Sequence, residues 1–277
     1  MDKIIDGKRL QSEKVVAFKE QISNISDDLK LVVIQIGDDS ASNIYVKNKK
    51  ILCEKVGISF EHLWYDSITE DELIGVIDGL NNDNSVTGIL VQFPLPDDID
   101  ANKVINTISP LKDIDGLTTY NMGALASGQK GLVPCTALGV VSILDGICDS
   151  LEGLDIVIVG RSRLVGLPLA SLLLRKNATV TVCHSKTVNL KEKTLNADVL
   201  VVAVGKKHLI KEDYVKDGAI VIDVGITRED GKLYGDCDFD NIASKCKYIT
   251  PVPGGVGPLT VTYLINNVIE AYYLQKN

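Results

Sequence analysis

The chain is short of the residues from which metal centres, disulfide frameworks and membrane spans are built. Its three histidines, at positions 62, 184 and 208, are scattered, so a histidine-based metal cluster is not expected. Its six cysteines, at 53, 135, 148, 183, 237 and 246, form no C-x-x-C pair, and several sit in apolar runs. Reduced core or loop thiols fit that pattern better than a zinc site or a secreted disulfide scaffold. The longest apolar runs, such as residues 199–204, have the length of a strand, far below the roughly 20 residues that cross a bilayer. Met1-Asp-Lys-Ile-Ile-Asp-Gly-Lys8 lacks the apolar core of a signal peptide, which points to a cytoplasmic protein. Low-complexity tracts and solenoid-type repeats are missing as well. A net charge of -8 gives no general attraction for nucleic acid or an anionic membrane. A small acidic ligand remains open, because a local field can oppose the net charge.

What is present is an alternation of strand and helix over 277 residues, a length that favours two domains. Residues 31–36 read as a buried strand. Ser42 is a candidate cap for a helix over 44–56, which Gly57 ends. A strand near 58–64, a helix over 69–80 and a strand over 88–92 follow, the last cut off by Pro94 and Pro96. Residues 109–134 are less regular, and 136–148 form a helix that bridges the halves. The rhythm restarts with a strand at 155–159, a helix at 165–176 and strands at 179–183, 199–204 and 219–224. A hairpin over 226–234, turning at Glu229-Asp-Gly231, interrupts it. Pro251-Val-Pro-Gly-Gly-Val-Gly-Pro258 then leads into a final apolar helix to about 273. Such alternation implies parallel sheet with right-handed crossovers.

Strand 155–159 empties into Gly160-Arg-Ser-Arg-Leu-Val-Gly166 and then a helix. A helix N-terminus in that position offers backbone N–H groups and a positive dipole end to a pyrophosphate. Gly160 permits the tight turn, and Gly166 permits close packing of helix on sheet. The usual fingerprint has glycine where this chain has Ser162 and Val165. Taken by itself, then, the loop is as compatible with a ligand-free turn. The next strand, Thr179-Val-Thr-Val-Cys183, is followed by His184-Ser-Lys186, with no carboxylate for a ribose 2′-hydroxyl. Arg161, Arg163, Ser185 and Lys186 could receive a 2′-phosphate instead, which favours NADP, with NAD still open.

In the first half, Tyr45 and Lys49 share one face of a helix. Gln92 closes a strand, where α/β sheets present ligand-facing residues. Asp113 and Asp115 flank Ile114. Each of these alone is ordinary: a helical lysine is usually a solvated charge, a strand-end amide is usually only polar, and loop carboxylates usually serve turns.

In combination they are not ordinary. Tyr45-Val-Lys-Asn-Lys49, Gly88-Ile-Leu-Val-Gln-Phe-Pro-Leu-Pro96, Lys112-Asp-Ile-Asp-Gly116 and Pro134-Cys-Thr136 stand in the first half. Gly160-Arg-Ser-Arg-Leu-Val-Gly166, Thr181-Val-Cys-His-Ser-Lys-Thr187, Tyr234-Gly-Asp236 and the 251–258 loop stand in the second. In this order, over nearly the whole chain, they closely resemble the bifunctional methylenetetrahydrofolate dehydrogenase/methenyltetrahydrofolate cyclohydrolase family. Two departures sit beside the motifs: Ala137 where family members commonly have proline, and Leu259 where they commonly have methionine. Neither removes a reactive group.

The resemblance implies an N-terminal α/β substrate domain (1–138 plus 262–277) and a C-terminal Rossmann-like, parallel-sheet cofactor domain (139–261). The last helix is expected to pack back on the first domain. The implied chemistry is oxidation of 5,10-methylenetetrahydrofolate with NADP, then hydrolysis to 10-formyltetrahydrofolate. That belongs to one-carbon metabolism, which feeds purine, methionine and histidine biosynthesis. By resemblance Lys49 is the general base or proton shuttle of the hydrolysis, Gln92 orients it, and Tyr45 stacks on the folate. Asp115 holds the pterin, while Pro253, Gly254 and Gly255 line the cleft beside the nicotinamide. Gly160, Arg161, Ser162, Val165, Gly166, His184, Ser185, Val204, Gly205, Gly225, Ile226 and Thr260 are the implied cofactor contacts. No metal is implied, and a homodimer is. Two rival readings stand beside this one: a nicotinamide-dependent dehydrogenase without hydrolase activity, and a non-catalytic nucleotide-binding derivative of the fold. The second predicts loss of Tyr45, Lys49, Gln92 and Asp115, all of which are present.

Overall fold

The computed structural model describes residues 3–276. Helix α1 (Gly7–Ser23) leads to strand β1 (Lys30–Ile36), helix α2 (Ser40–Val56) and strand β2 (Ser59–Tyr65). Helix α3 (Glu70–Asn82), strand β3 (Gly88–Val91) and helices α4 (Ala101–Thr107) and α5 (Thr119–Ser127) follow. Local chemistry sets the helix ends. The Asp39 carboxylate accepts from the Ser42 N–H at 2.7 Å and starts α2. Gly57, at φ 91°, ends it in the left-handed conformation. Ser42 is therefore not the cap expected from sequence; the helix begins a turn earlier, and Ser42 lies inside it. Thr69 and Glu72 close a capping box on α3. Asp100 caps α4, and Thr118 caps α5. The last two are helices that the irregular look of this region conceals; both are short, and α5 has little amphipathic contrast.

The second half runs α6 (Cys135–Ile147), β4 (Asp155–Val159), α7 (Gly166–Leu174), β5 (Thr179–Cys183), α8 (Leu190–Leu195) and β6 (Val199–Val202). Then come β7 (Ile220–Asp223), the hairpin β8 (Thr227–Glu229) and β9 (Lys232–Tyr234), α9 (Phe239–Ile242), β10 (Tyr248–Ile249) and α10 (Val256–Lys276).

The chain divides into two compact units, one of Glu13–Cys135 with the residues from Val261 on, the other of Thr136–Thr260 with residues 3–12. In the first, β1 is the middle strand of a parallel sheet ordered β2-β1-β3. Its alternate residues face opposite ways. Leu31 and Val33 join Leu90, Val15, Phe18, Leu52 and Val56 on one face. Val32, Ile34 and Ile36 join Ile89, Val91, Leu73, Ile77 and Val104 on the other. Leu264, Ile265, Val268 and Ile269 of α10 complete the first of these cores, the packing-back expected of the last helix. In the second unit the parallel order is β10-β7-β6-β4-β5.

The described N-terminal residues pair with the edge of the second unit's sheet. Ile4 forms a parallel bridge to Ile249. The Ile5 N–H donates to the Ile249 carbonyl at 2.8 Å, the Ile249 N–H to the Lys3 carbonyl at 2.9 Å, and the Gly7 N–H to the Gly254 carbonyl at 2.9 Å. A sheet edge at β10 would otherwise present unpaired backbone groups, and the first residues cover it.

The α10 contribution can be tested in isolation. Ile265 is fully buried, so Ile265→Ala is expected to cost about 2–5 kcal/mol, read as a lowered urea midpoint with unchanged m-value.

Candidate active site

In the first unit the chain leaves β1, passes Gly37 and enters α2, while β2 and β3 lie on opposite sides of β1. This is the switch point of the sheet, where strand ends splay and a crevice opens. Side chains from α2 and from the end of β3 reach the same place. Lys49 Nζ on α2 donates to Gln92 Oε1 at 2.9 Å. The Gln92 N–H is tied to the β1 carbonyl of Ile34 at 2.8 Å. Gln92 Nε2 donates to the Phe93 carbonyl at 2.8 Å, and the same oxygen accepts from Ser42 Oγ at 3.1 Å. The Gln92 amide is thereby held with its oxygen toward the amine. Tyr45, one helical turn before Lys49, is exposed.

Lys49, Gln92 and Asp115 each keep part of their surface open, yet the protein around them is dense enough to shift both ionisable groups. Burial holds the Lys49 amine below the ordinary lysine range, against the pull of the Asp115 carboxylate and, less strongly, the thiols of Cys135 and Cys53. Burial pushes Asp115 up, and Lys49 opposes that shift. Both shifts favour the uncharged form of the group concerned.

The two loop aspartates, alike in sequence, part company here. Asp113 is buried, and its carboxylate accepts from the Thr118 N–H at 2.7 Å and Asn121 Nδ2 at 2.9 Å. It holds the loop, a task in which Asp115 has no matching hydrogen bonds among the described residues. Lys112 is likewise structural, its buried ammonium donating to the carbonyls of Leu80 and Asp83 near the end of α3. Asn267 of α10, which sequence reading passed over, is buried and donates from Nδ2 to the carbonyls of Ile114 (2.7 Å) and Val133 (2.8 Å). It ties the Asp115 loop to the segment before Cys135. A polar residue among Leu264, Ile265, Val268 and Ile269 was the available signal.

The other expected site residues lie in the second unit. β4 is its switch point, with β5 on one side and β6 on the other. The loop after β4 turns at Gly160 (φ 130°), whose N–H donates to the Cys183 carbonyl at 2.8 Å. A Cβ on Gly160 would lie 2.4 Å from the Ala203 carbonyl oxygen, and one on Gly166 would lie 2.1 Å from that of Gly160. The tight cradle therefore needs both glycines. Val165, at the N-cap of α7, makes no side-chain cap; its N–H donates to Ser162 Oγ at 3.2 Å, and the Leu167 N–H donates to the Ser162 carbonyl at 3.1 Å. Arg161 and Ser162 on that loop are exposed, as are Ser185 and Lys186 beyond the neighbouring β5, while Val165 and His184 are half-buried. Positive and hydroxyl groups, with no carboxylate, follow Cys183 in space as in sequence. Val204 and Gly205 follow β6; Gly225 and Ile226 follow β7. Pro253, Gly254 and Gly255 precede α10, and Thr260 Oγ1 donates to Thr136 Oγ1 at 3.2 Å. Among the described residues, no group of three or more His, Cys, Asp or Glu side chains could hold a metal. All six cysteines are free.

Two family models cover the chain: "Tetrahydrofolate dehydrogenase/cyclohydrolase, catalytic domain" over residues 5–115 and "Tetrahydrofolate dehydrogenase/cyclohydrolase, NAD(P)-binding domain" over 134–276. The chain belongs to the tetrahydrofolate dehydrogenase/cyclohydrolase family. Among its relatives, "Bifunctional protein FolD" of Lachnoclostridium phytofermentans is 50% identical over 276 residues, covering 97% of each chain. The crystal structure of the bifunctional FolD methylenetetrahydrofolate dehydrogenase/cyclohydrolase from Campylobacter jejuni superposes with a TM-score of 0.95. It is 43% identical, covering 98% of this chain and 99% of that one. The Trypanosoma brucei family member, solved with NADP cofactor and inhibitor, has a TM-score of 0.92 and 32% identity over 99% and 98% of the two chains. The two departures from the family's usual residues, Ala137 and Leu259, are both fully buried. Leu259 packs against Gly139, where a Cβ would come within 3.1 Å of the leucine's own.

One buried carboxyl in the cofactor unit of this family member has a definite pH signature. Asp223, at the end of β7, is buried, and burial raises its carboxyl to about 7 although it accepts the N–H groups of Cys237 and Asp236. A carboxyl near 3.8 in the unfolded chain and near 7 in the folded one takes up a proton on folding between those values. The stability that this contributes is largest in acid and is lost as pH rises through 7. Urea unfolding at pH 5 and pH 7.5 should therefore show the advantage of wild type over Asp223→Asn shrinking by about 2–3 kcal/mol. Gly166→Ala is expected to cost about 1–3 kcal/mol by overpacking and to raise the KM for NADP about tenfold, measured by denaturation and steady-state kinetics.

Proposed function

We propose that this chain oxidises 5,10-methylenetetrahydrofolate to the 5,10-methenyl cation with NADP and then hydrolyses the cation to 10-formyltetrahydrofolate. The observation that carries the second activity is the Lys49–Gln92 pair, an amine with a depressed pKa held by an oriented amide. A dehydrogenase that released the methenyl cation would have no use for it.

NADP, when bound, would supply the hydride acceptor for the methylene carbon, whose hydride departs with help from the adjacent nitrogen lone pair. The protein's part in that step is to hold and orient the folate. Asp115 suits the pterin because its two oxygens can accept two adjacent N–H donors of an aminopyrimidinone. Tyr45 offers an exposed ring for stacking on the folate. Hydrolysis needs proton management. As water adds to the cationic carbon, neutral Lys49 takes one of its protons. The bond from that carbon to N5 then breaks as the new hydroxyl gives up its proton and becomes the formyl carbonyl; N5 takes up one proton, the formyl group stays on N10, and one proton leaves to solvent. Gln92 Oε1 fixes the direction of the amine throughout, since a lysine in either charge state still donates to it.

On the cofactor side, Gly160, Arg161, Ser162, Val165 and Gly166 would take the pyrophosphate and its neighbourhood. Ser185, with His184 beside it, would take the 2′-phosphate. Val204, Gly205, Gly225, Ile226 and Thr260 would face the rest of the dinucleotide, and Pro253, Gly254 and Gly255 the nicotinamide and folate. The protein is read as a cytoplasmic homodimer without nucleic-acid or membrane partners. No helix among the described residues is long and apolar enough to cross a membrane.

Lys49→Ala should abolish cyclohydrolase activity by about 100-fold or more while retaining hydride transfer, so that absorbance of the methenyl product accumulates. In the wild type cyclohydrolase activity should rise with pH as Lys49 deprotonates, with the midpoint of that rise below the ordinary lysine value of 10.5. Undiminished hydrolysis by the alanine variant would remove Lys49 from the mechanism.

A further inference from the structure

The hairpin β8–β9 breaks the strand–helix rhythm of the cofactor unit, and the two glycines at its base explain what it delivers. A Cβ on Gly225, entering the hairpin, would lie 2.0 Å from the carboxyl carbon of Asp236. A Cβ on Gly235, leaving it, would lie 2.0 Å from Asp223 Oδ2. Two carboxyls are thus packed against bare backbone where a larger residue could not fit. Asp223 takes the backbone N–H groups of Asp236 (3.0 Å) and Cys237 (2.8 Å). Asp236, fully buried, reaches the loop after β6: Oδ2 accepts from the Val204 N–H at 2.7 Å and the Gly205 N–H at 3.1 Å, and Oδ1 from the Lys206 N–H at 2.6 Å. Gly205 is left-handed, at φ 63°. Three successive N–H groups converging on one anion form a nest of the kind that elsewhere binds phosphates or sulfide clusters. Here the protein fills it with its own carboxylate.

The loop so held is not remote from the nucleotide turn. Ala203, its first residue, has its carbonyl oxygen against Gly160, where a Cβ would be 2.4 Å away. The Ala203 N–H in turn donates to the Val159 carbonyl at 2.8 Å. The position of residues 203–206 therefore bears directly on the shape of the turn at Gly160.

We propose that Asp236 is a positioning residue for the dinucleotide. Its carboxylate pins residues 204–206, and through Ala203 the Gly160 turn, in the shape that NADP meets. The proposal rests on the reading that Val204 and Gly205 face the cofactor. An amide in place of the carboxylate would turn an NH2 group toward at least one of the three N–H donors, opening the nest.

A bifunctional enzyme supplies its own control, because hydrolysis of the methenyl cation consumes no NADP. Asp236→Asn should raise the KM for NADP, and the Kd for NADP measured by calorimetry, by at least about tenfold. It should change kcat of the dehydrogenase far less, and leave kcat/KM for hydrolysis of the methenyl substrate within about twofold. Asp236→Ser, which keeps the space and one neutral acceptor, carries the same comparison if the asparagine variant does not fold. Hydrogen exchange of wild type with and without NADP tests the underlying reading, which requires the amides around 203–206 to change protection. No change there overturns the placement of Val204 and Gly205 at the cofactor. A change there, with unaltered NADP affinity in a folded Asp236 variant, overturns the role of Asp236. So does a parallel loss of both activities, which would mark the residue as structural only.

Discussion

A parallel strand that is covered on both faces has no exposed face on which to carry chemistry, and this constraint organises both halves of the molecule. The two switch-point strands, β1 and β4, are hydrophobic almost throughout, and neighbours on each side complete their hydrogen bonds. What remains available is the carboxyl end, where the chain turns out of the sheet into a helix. Lys49 and Gln92 are found at one such end and the Gly160 turn at the other. The same layout serves different chemistry because the loops differ. The first unit uses side chains from a helix and a strand end; the second uses backbone N–H groups and a cradle free of Cβ atoms.

Buried charge is handled in two ways. In the first, Lys49 and Asp115 are desolvated without being saturated by hydrogen bonds, and burial shifts each toward its neutral form. In the second, Asp236 is surrounded by backbone donors and spends its capacity on shape. Asp113 behaves like Asp236, although it stands two residues from Asp115.

Regular strands were legible in the sequence because apolar runs bounded by glycine or proline have few other uses; β4 and β5 match the expected bounds. Lys49, Gln92, Asp115 and the glycines of the Gly160 loop were legible through family motifs, whereas each alone would have passed as ordinary. Short helices α4 and α5 were not legible, because seven or nine residues give too little periodicity to separate from a loop. Asn267 and the donors around Asp236 were hidden for another reason. Their partners are backbone groups 134 to 153 residues away for Asn267, and about 30 for Asp236. Backbone acceptors and donors carry no residue identity, so no sequence pattern announces them. The edge covered by residues 3–5 was invisible on the same grounds.

The helix α10 has a consequence for the order in which the molecule can be made. Residues 13–135 are synthesised before any strand of the cofactor unit and contain every strand of the first unit, yet a side of its core stays open until Leu264, Ile265, Val268 and Ile269 arrive. The loop bearing Asp115 also waits for Asn267. Meanwhile the cofactor unit, synthesised second, already has its N-terminal edge segment in hand. The unit whose strands are made first is completed last, so the nascent chain holds a half-built core until α10 has emerged.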